Sequence, residues 1–198
     1  MELVIATRNK KKRQEIEKIL EDFDVKVLSL EDYPGLSEIK EEGRNFEDNA
    51  VKKAVVTARF TNKWTLADDS GLEVEALNGK PGVHSARFAG KKQNDKANIK
   101  KLLEIMKDVP EEKRTARFTS VMAVSSPDGK IAKVVKGDCE GRISFNPAGG
   151  KGFGYDPVFI VSGYRKTFAQ IESNLKNRIS HRAKALRQIK KFISQLNF

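Results

Sequence analysis

Asp68 and Asp69 stand side by side after a short apolar, partly β-branched run, Trp64-Thr65-Leu66-Ala67, and lead directly into Ser70-Gly71. The run predicts a strand that gives way to a loop at the acids. Two adjacent carboxylates crowd like charge unless a cation shares their site, and a divalent metal is the simplest such cation. Neighbouring side chains on an extended chain point to opposite sides, so only one of the pair faces a given site. A second carboxylate must come from elsewhere, and the loop acids Glu38, Glu41 and Glu42 are the candidates. A few carboxylates completed by water and substrate phosphates suit Mg²⁺. On its own, Asp-Asp-Ser-Gly could equally cap a turn.

Three other groups of residues extend this chemistry. Thr7-Arg8-Asn9-Lys10-Lys11-Lys12 falls between a strand and a helix. Backbone N–H groups and the helix dipole there favour an anion, and Lys12 lies one turn in, placed to neutralise a phosphate. The turn lacks glycine, which excludes a Walker loop and a dinucleotide fingerprint. Phe153-Gly154-Tyr155-Asp156-Pro157 sets an aromatic between glycines, a platform for stacking a base, with Asp156 placed to meet ring N–H groups. His181 and Arg182 open a late helix as two donors suited to a ring carbonyl. His84 has no such companion and reads as structural, as does Cys139, the only cysteine.

The elements that must position these residues follow from periodicity and caps. A first strand over residues 3–6 leads to Asn9 as N-cap of a helix with Ile16, Ile19, Leu20 and Phe23 on one face. Residues 25–30 read as a second strand and 38–44 as a polar loop. Asn45 caps a second helix striped by Phe46, Ala50, Ala54 and Ala58, with Lys52 and Lys53 on its flanks. A third helix spans about residues 95–107. Residues 117–124 and 131–135 form two strands joined by the turn Ser126-Pro127-Asp128-Gly129. Further strands are expected at 139–143 and 157–161, a glycine-rich loop at 146–152, and a C-terminal helix over 179–196 with Leu196 on its apolar side. Helices between some strands and hairpins between others predict an α/β or α+β fold with a mixed sheet, in a single domain.

Composition narrows the classes. The chain has 198 residues, 38% hydrophobic and 33% charged, and no apolar window of the roughly 20 residues that span a bilayer. The N-terminus has no charged region ahead of its short apolar run, so it reads as a strand and not as a signal peptide; a cytoplasmic location is expected. The formal charge of +11 raises the possibility of a nucleic-acid-binding module. The lysines, however, alternate with acids as on solvated helix faces, and a basic field that draws in a nucleoside triphosphate accounts for the balance as well. No stable nucleic-acid complex is expected.

These pieces, taken in order, resemble the inosine triphosphate pyrophosphatase family, the HAM1-like non-canonical purine nucleoside triphosphate pyrophosphatases. The resemblance is carried by Thr7 to Lys12, Glu41 with Gly43 and Asn49-Ala50, Ala67 to Leu72, Pro81-Gly82-Val83, Ser85-Ala86-Arg87, Gly152 to Pro157, Lys176-Asn177, and Ile179 to Arg182. It implies an elongated sheet flanked by helices, two lobes with an active-site cleft between them, a homodimer, and Mg²⁺-dependent hydrolysis of ITP, dITP and XTP to monophosphate and pyrophosphate. By matched position, it implies that Thr7, Arg8, Asn9, Lys10, Lys11 and Lys12 hold the phosphates, with Lys53 a further phosphate contact. Glu41 and Asp69 hold the metal, and Asp69 is the catalytic base. Ser70, Phe153, Gly154, Tyr155, Asp156, Lys176, His181 and Arg182 contact the nucleotide. The competing class is a Maf-type nucleotide pyrophosphatase, in which the Phe-Gly-Tyr-Asp-Pro and Ser-His-Arg segments are not expected together.

Overall fold

A computed structural model describes residues 1–90 and 93–195, so Leu196 lies outside the described residues. The chain is α/β: a six-stranded mixed sheet in the order β2-β1-β3-β4-β5-β6, with helices between several of its strands. The strands are β1 (Glu2–Ile5), β2 (Lys26–Ser29), β3 (Trp64–Val74), β4 (Thr115–Ser125), β5 (Ile131–Ile143) and β6 (Phe159–Val161). The helices are α1 (Lys10–Leu20), α2 (Phe46–Thr61), α3 (Asp95–Ile105), α4 (Ser173–Ile179) and α5 (His181–Ile193). Two compact units divide the chain. The first comprises Met1–Asp69, Ser120–Gly137 and Arg182–Phe198; the second comprises Ser70–Thr119 and Asp138–His181.

In the first unit, β1 runs parallel to both β2 and β3, pairing Val4 with Leu28 and with Thr65. Parallel neighbours require crossover connections, which α1 and α2 supply. Asn9 and Asn45 are the N-caps of these helices, and Asn62 closes α2 in the left-handed conformation at φ 52°. The core beneath them joins Leu3, Ile5 and Leu66 of the strands to Ile16 and Leu20 of α1 and to Leu186 and Ile189 of α5. The β4–β5 hairpin turns where Ser126-Pro127-Asp128-Gly129 stands, the Ser126 N–H donating to the Lys130 carbonyl at 3.0 Å.

In the second unit, β5 and β6 are antiparallel, with Arg142 opposite Ile160. Its core gathers Leu72, Leu102, Phe118, Phe159 and Phe168, and Phe118 lies 4.7 Å from Phe159 between ring centroids. Arg114 is buried without a carboxylate. It donates instead to the carbonyls of Met106, Val109, Ile143 and Ser144 at 2.7 to 3.1 Å, and its guanidinium lies over the Phe145 ring.

Four expectations are corrected. Asp68, Asp69, Ser70 and Gly71 lie inside β3, which continues to Val74, and not in a loop. A charged pair is a poor strand interior by itself, but partners brought by other elements outweigh that preference. The segments 131–135 and 139–143 belong to one 13-residue strand, whose exposed Lys136 and small Gly137 interrupt the apolar pattern without interrupting the pairing. The last strand begins at Phe159, after a 3-10 turn over Asp156–Val158. The C-terminal helix begins at His181 and ends at Ile193, preceded by the unforeseen α4; extended Ser180, with ψ 160°, separates the two.

Replacing Arg114 by Met keeps the apolar stem and removes the guanidinium donors of four buried or partly buried carbonyls, of which Met106 retains the Val109 N–H. The variant should lose about 3 kcal/mol or more of unfolding free energy in urea, and an unchanged midpoint would refute the assignment.

Candidate active site

Within the first unit, the turn after β1 is organised by its own side chains. Asn9 Oδ1 accepts from the N–H groups of Lys11 and Lys12 at 3.1 and 3.2 Å, and Thr7 Oγ1 accepts from the Asn9 N–H at 3.2 Å. The expectation of open backbone donors is therefore corrected for those two amides, because a capping asparagine competes for them. Side chains remain. Arg8 donates to the Leu36 carbonyl, and exposed Lys10 stands 3.6 Å from Glu31. Thr7, Arg8, Lys10, Arg13, Leu30 and Glu31 line a cavity of about 120 Å³. Lys12 points inward, its Nζ 3.0 Å from Asp68 Oδ2.

Asp68 is fully buried and meets further groups besides Lys12. The Ser120 hydroxyl donates to its Oδ1 at 2.6 Å, and the Arg182 guanidinium lies 3.5 Å from its Oδ2. Burial would push this carboxyl up, but the Lys12 ammonium, the Arg182 guanidinium and the Ser120 hydroxyl together hold it far below the ordinary carboxylate range. Arg182 is also buried and bonded to Glu15. A buried cation draws nearby carboxylates, and Arg182 meets those of Glu15 and Asp68.

Asp69 meets a different set, as alternation along a strand requires. Asn49 Nδ2 donates to its Oδ2 at 3.0 Å, and the Lys53 ammonium donates to its Oδ1 at 3.2 Å. Lys53 also donates to Glu41 Oε1 at 2.6 Å and to the Asp68 carbonyl at 2.8 Å. Glu41 and Asp69, 28 positions apart in the chain, thus converge on one ammonium, although Glu41, like Glu38 and Glu42, is exposed. Burial raises the Asp69 carboxyl above its ordinary value, assisted by the charge of Glu41 and opposed by Lys53 and Lys12. Burial would lower Lys53, but the two carboxylates outweigh it and raise it.

Two converging carboxylates that already share one cation form a donor set of the kind Mg²⁺ uses, with other positions left to phosphates and water. No group of three His, Cys, Asp or Glu side chains able to hold a metal by themselves occurs among the described residues.

Within the second unit, half-buried Ser70 follows Asp69 along β3. The glycine-rich loop closes on Asp156, whose Oδ2 accepts from the Phe153 N–H at 2.8 Å and from the Lys176 ammonium at 2.6 Å. Gly152 is required here: its φ is +74° and a Cβ would fall 2.0 Å from Asp156 Oδ2. Buried and engaged in this way, Asp156 clamps the loop. Gly154 donates to Asp95 Oδ2 at 2.8 Å, which ties the loop to the start of α3. Lys176 lies 5.0 Å from the Phe153 ring and 5.4 Å from the Phe168 ring. Tyr155 is buried, donates to the Ser85 carbonyl at 2.9 Å, and has its hydroxyl pushed up by burial. His181 stacks on Phe118, with centroids 4.8 Å apart and planes 12° from parallel. His84 is exposed and Cys139 is buried, away from these groups in role.

An α/β sheet enzyme with a carboxylate pair, buried lysines and an aromatic loop is the class these features define. The Ham1 family model matches residues 3–192, and the chain belongs to the Ham1 family. It is 48% identical over 196 residues to a dITP/XTP pyrophosphatase of Desulforamulus reducens, covering 99% of this chain and 97% of that one. It is 47% identical to a dITP/XTP pyrophosphatase of Bacillus subtilis, covering 97% and 96% of the two chains. Among solved structures, the Ham1 protein of Staphylococcus aureus superposes with a TM-score of 0.88 at 40% identity, each chain covered completely. A HAM1 protein from Coxiella burnetii gives 0.89 at 37% identity, with 98% and 99% covered.

Sequence reading assigns no role to Ser120, Glu15 or Asn49. Their partners lie 52, 167 and 20 positions away, and no local spacing announces them. Asp68→Asn should cost about 3–5 kcal/mol at pH 7, since it leaves Lys12 and Arg182 short of a buried counter-charge. The folded Asp68 carboxyl lies below its unfolded value, so its stabilisation is fully present above the ordinary carboxylate range and is lost as pH falls beneath it. The gap between wild type and variant in urea unfolding should therefore persist from pH 7 to about pH 5 and narrow below about pH 4; a gap that closes between pH 7 and 5 would contradict this.

Proposed function

We propose that this protein hydrolyses non-canonical purine nucleoside triphosphates, ITP, dITP and XTP, to the monophosphate and pyrophosphate, and so cleanses the nucleotide pool. The observation that carries the reading is the convergence of Glu41 and Asp69 on Lys53, beside Lys12. Its support is near-full-length similarity to relatives named dITP/XTP pyrophosphatases.

Asp69 is the base. Its oxygens are fixed by Asn49 and Lys53, and burial raises its proton affinity, which makes it a better proton acceptor than an ordinary carboxylate. It takes a proton from a water molecule as the water oxygen bonds to the α-phosphorus. The bond from that phosphorus to the bridging oxygen breaks, and pyrophosphate leaves with the electron pair. Lys12 and Lys53 meet the charge that grows on the departing oxygens. Glu41 and Asp69 would hold Mg²⁺, which when bound supplies positive charge to the triphosphate.

Thr7, Arg8, Lys10 and Lys11 receive the outer phosphates, with Asn9 shaping their turn. In the second unit Phe153 offers a stacking face, and Lys176 and His181 are the donors for a 6-keto purine. Ser70, Gly154 and Tyr155 shape that region, and Asp156 orients Lys176. Arg182 acts through Asp68. A purine with an amino group at position 6 sets donor against donor, so ATP should be poor. Magnesium as the ion, a homodimer and a cytoplasmic location belong to the same proposal. Among the described residues no helix is long and apolar enough to cross a membrane.

Pyrophosphate release should be fastest with ITP and XTP, slow with ATP and dUTP, and lost without Mg²⁺; equal rates across the panel would remove the proposed base selectivity. Asp69→Asn should lower kcat by about 10² to 10⁴ with KM changed far less. An undiminished kcat would take Asp69 out of the chemistry.

A further inference from the structure

Asn49 is nearly inaccessible to solvent and carries two bonds of opposite sense. Its Nδ2 donates to Asp69 Oδ2 at 3.0 Å, and its Oδ1 accepts from the Gly43 N–H at 2.8 Å. The partners fix the amide orientation, because a backbone N–H needs an acceptor and a carboxylate needs a donor. Gly43 lies two residues beyond Glu41, so one side chain ties the loop carrying Glu41 to the carboxylate of Asp69. The fit has no slack: a Cβ on Gly43 would lie 2.6 Å from Asn49 Oδ1 and 2.7 Å from Asp48 Cβ. The loop is anchored again where Asp48 accepts from the Arg44 N–H and Lys52 donates to the Lys40 carbonyl. Those anchors are exposed and neither reaches Asp69; Asn49 does.

From this we infer that Asn49 is a positioning residue: it turns the Asp69 carboxylate and sets the separation of Asp69 from Glu41. Lys53 bridges the same two acids, but on a long flexible stem; Asn49 has two rotatable bonds and sits on the first turns of α2, which makes it the rigid member of the pair. A ligand oriented by an amide of this kind loses affinity or activity by about 10- to 100-fold when the amide is removed. The inference rests on the function proposed above, and its test separates the two.

Two substitutions divide Asn49's bonds. Asn49→Ala removes both, whereas Asn49→Asp keeps an acceptor for Gly43 and replaces the donor to Asp69 by a carboxylate oxygen, which also sets like charge beside it. Both should retain wild-type KM for ITP within about threefold while kcat falls about 10- to 100-fold. Mn²⁺ binding followed by electron paramagnetic resonance on nucleotide-free protein should weaken about tenfold in Asn49→Ala, with no turnover needed for the reading. Wild-type kcat in folded Asn49→Ala or in Asn49→Asp overturns the inference, as does Mn²⁺ binding unchanged in Asn49→Ala or absent from the wild type. If Asn49→Ala fails to fold, Asn49→Asp decides. If the wild type releases no pyrophosphate from ITP, the proposed function fails, and the Mn²⁺ comparison alone decides the role of Asn49.

Discussion

Two carboxylates buried in the middle of a strand must be met by positive charge, and the first unit is arranged around that requirement. Desolvating an isolated carboxylate costs far more than a small domain can supply. Asp68 and Asp69 are therefore tolerable only because Lys12, Lys53 and Arg182 arrive from α1, α2 and α5. Each helix has its own apolar reason to pack on the sheet, with Ile16 and Leu20, Ala50 and Ala54, and Leu186 and Ile189 all buried. The cations ride on helices whose position the core already dictates. Charge balance and hydrophobic packing thus specify the same arrangement, a consistency that selects one structure over its competitors.

The neighbours on β3 receive opposite treatment. Asp68 is held by two cations and a hydroxyl, and its proton affinity is driven down; Asp69 is held by one close lysine and an amide, with Glu41 nearby, and its proton affinity rises. A carboxylate saturated with cations is a poor base and a good anchor. One that is partly desolvated and lightly paired can take a proton. Identical residues at consecutive positions acquire different roles from which helix each faces, much as paired carboxylates in other hydrolases are separated by environment.

Much of the frame was legible in the sequence because its signals are local. Asn9 and Asn45 announce their helices by capping, the stripe of Phe46, Ala50, Ala54 and Ala58 follows the helical period, and Ser126 to Gly129 forms the turn its composition demands. For the partner of Asp69 the residues alone left Glu38, Glu41 and Glu42 open, and the family resemblance named Glu41. What stayed hidden has its cause at long range. The passage of β3 through Asp68 and Asp69 depends on partners elsewhere in the chain, so a local reading ends the strand at the charges. The bond of Arg182 to Glu15 spans 167 residues, out of reach of any local reading. Asn49, on the first turn of α2, is among the residues that carry the family resemblance, but nothing local announces its bond to Asp69, 20 residues on. The break at Ser180 was hidden for a different reason, since the apolar period continues across it from α4 into α5.

The second unit repeats the logic of the first with different parts. Lys176 is buried, and its charge is met by Asp156 and by the faces of Phe153 and Phe168. Asp156 is itself fixed by the Phe153 N–H, much as Asp69 is fixed by Asn49. In both units a flexible lysine is held by an aspartate that is anchored independently of it. The ordering of the long side chain is thereby completed during folding and not left to the moment of binding, where it would weaken association. A charge fixed in advance also needs no reorganisation as the reaction proceeds, which is the condition under which electrostatic stabilisation is worth most. The glycines at 43 and 152 serve this end: each removes a Cβ that would collide with the anchoring oxygen, Asn49 Oδ1 in one case and Asp156 Oδ2 in the other. An alanine at either place would displace the anchor before it displaced the lysine, so these backbone positions are constrained by the charges they help to hold still.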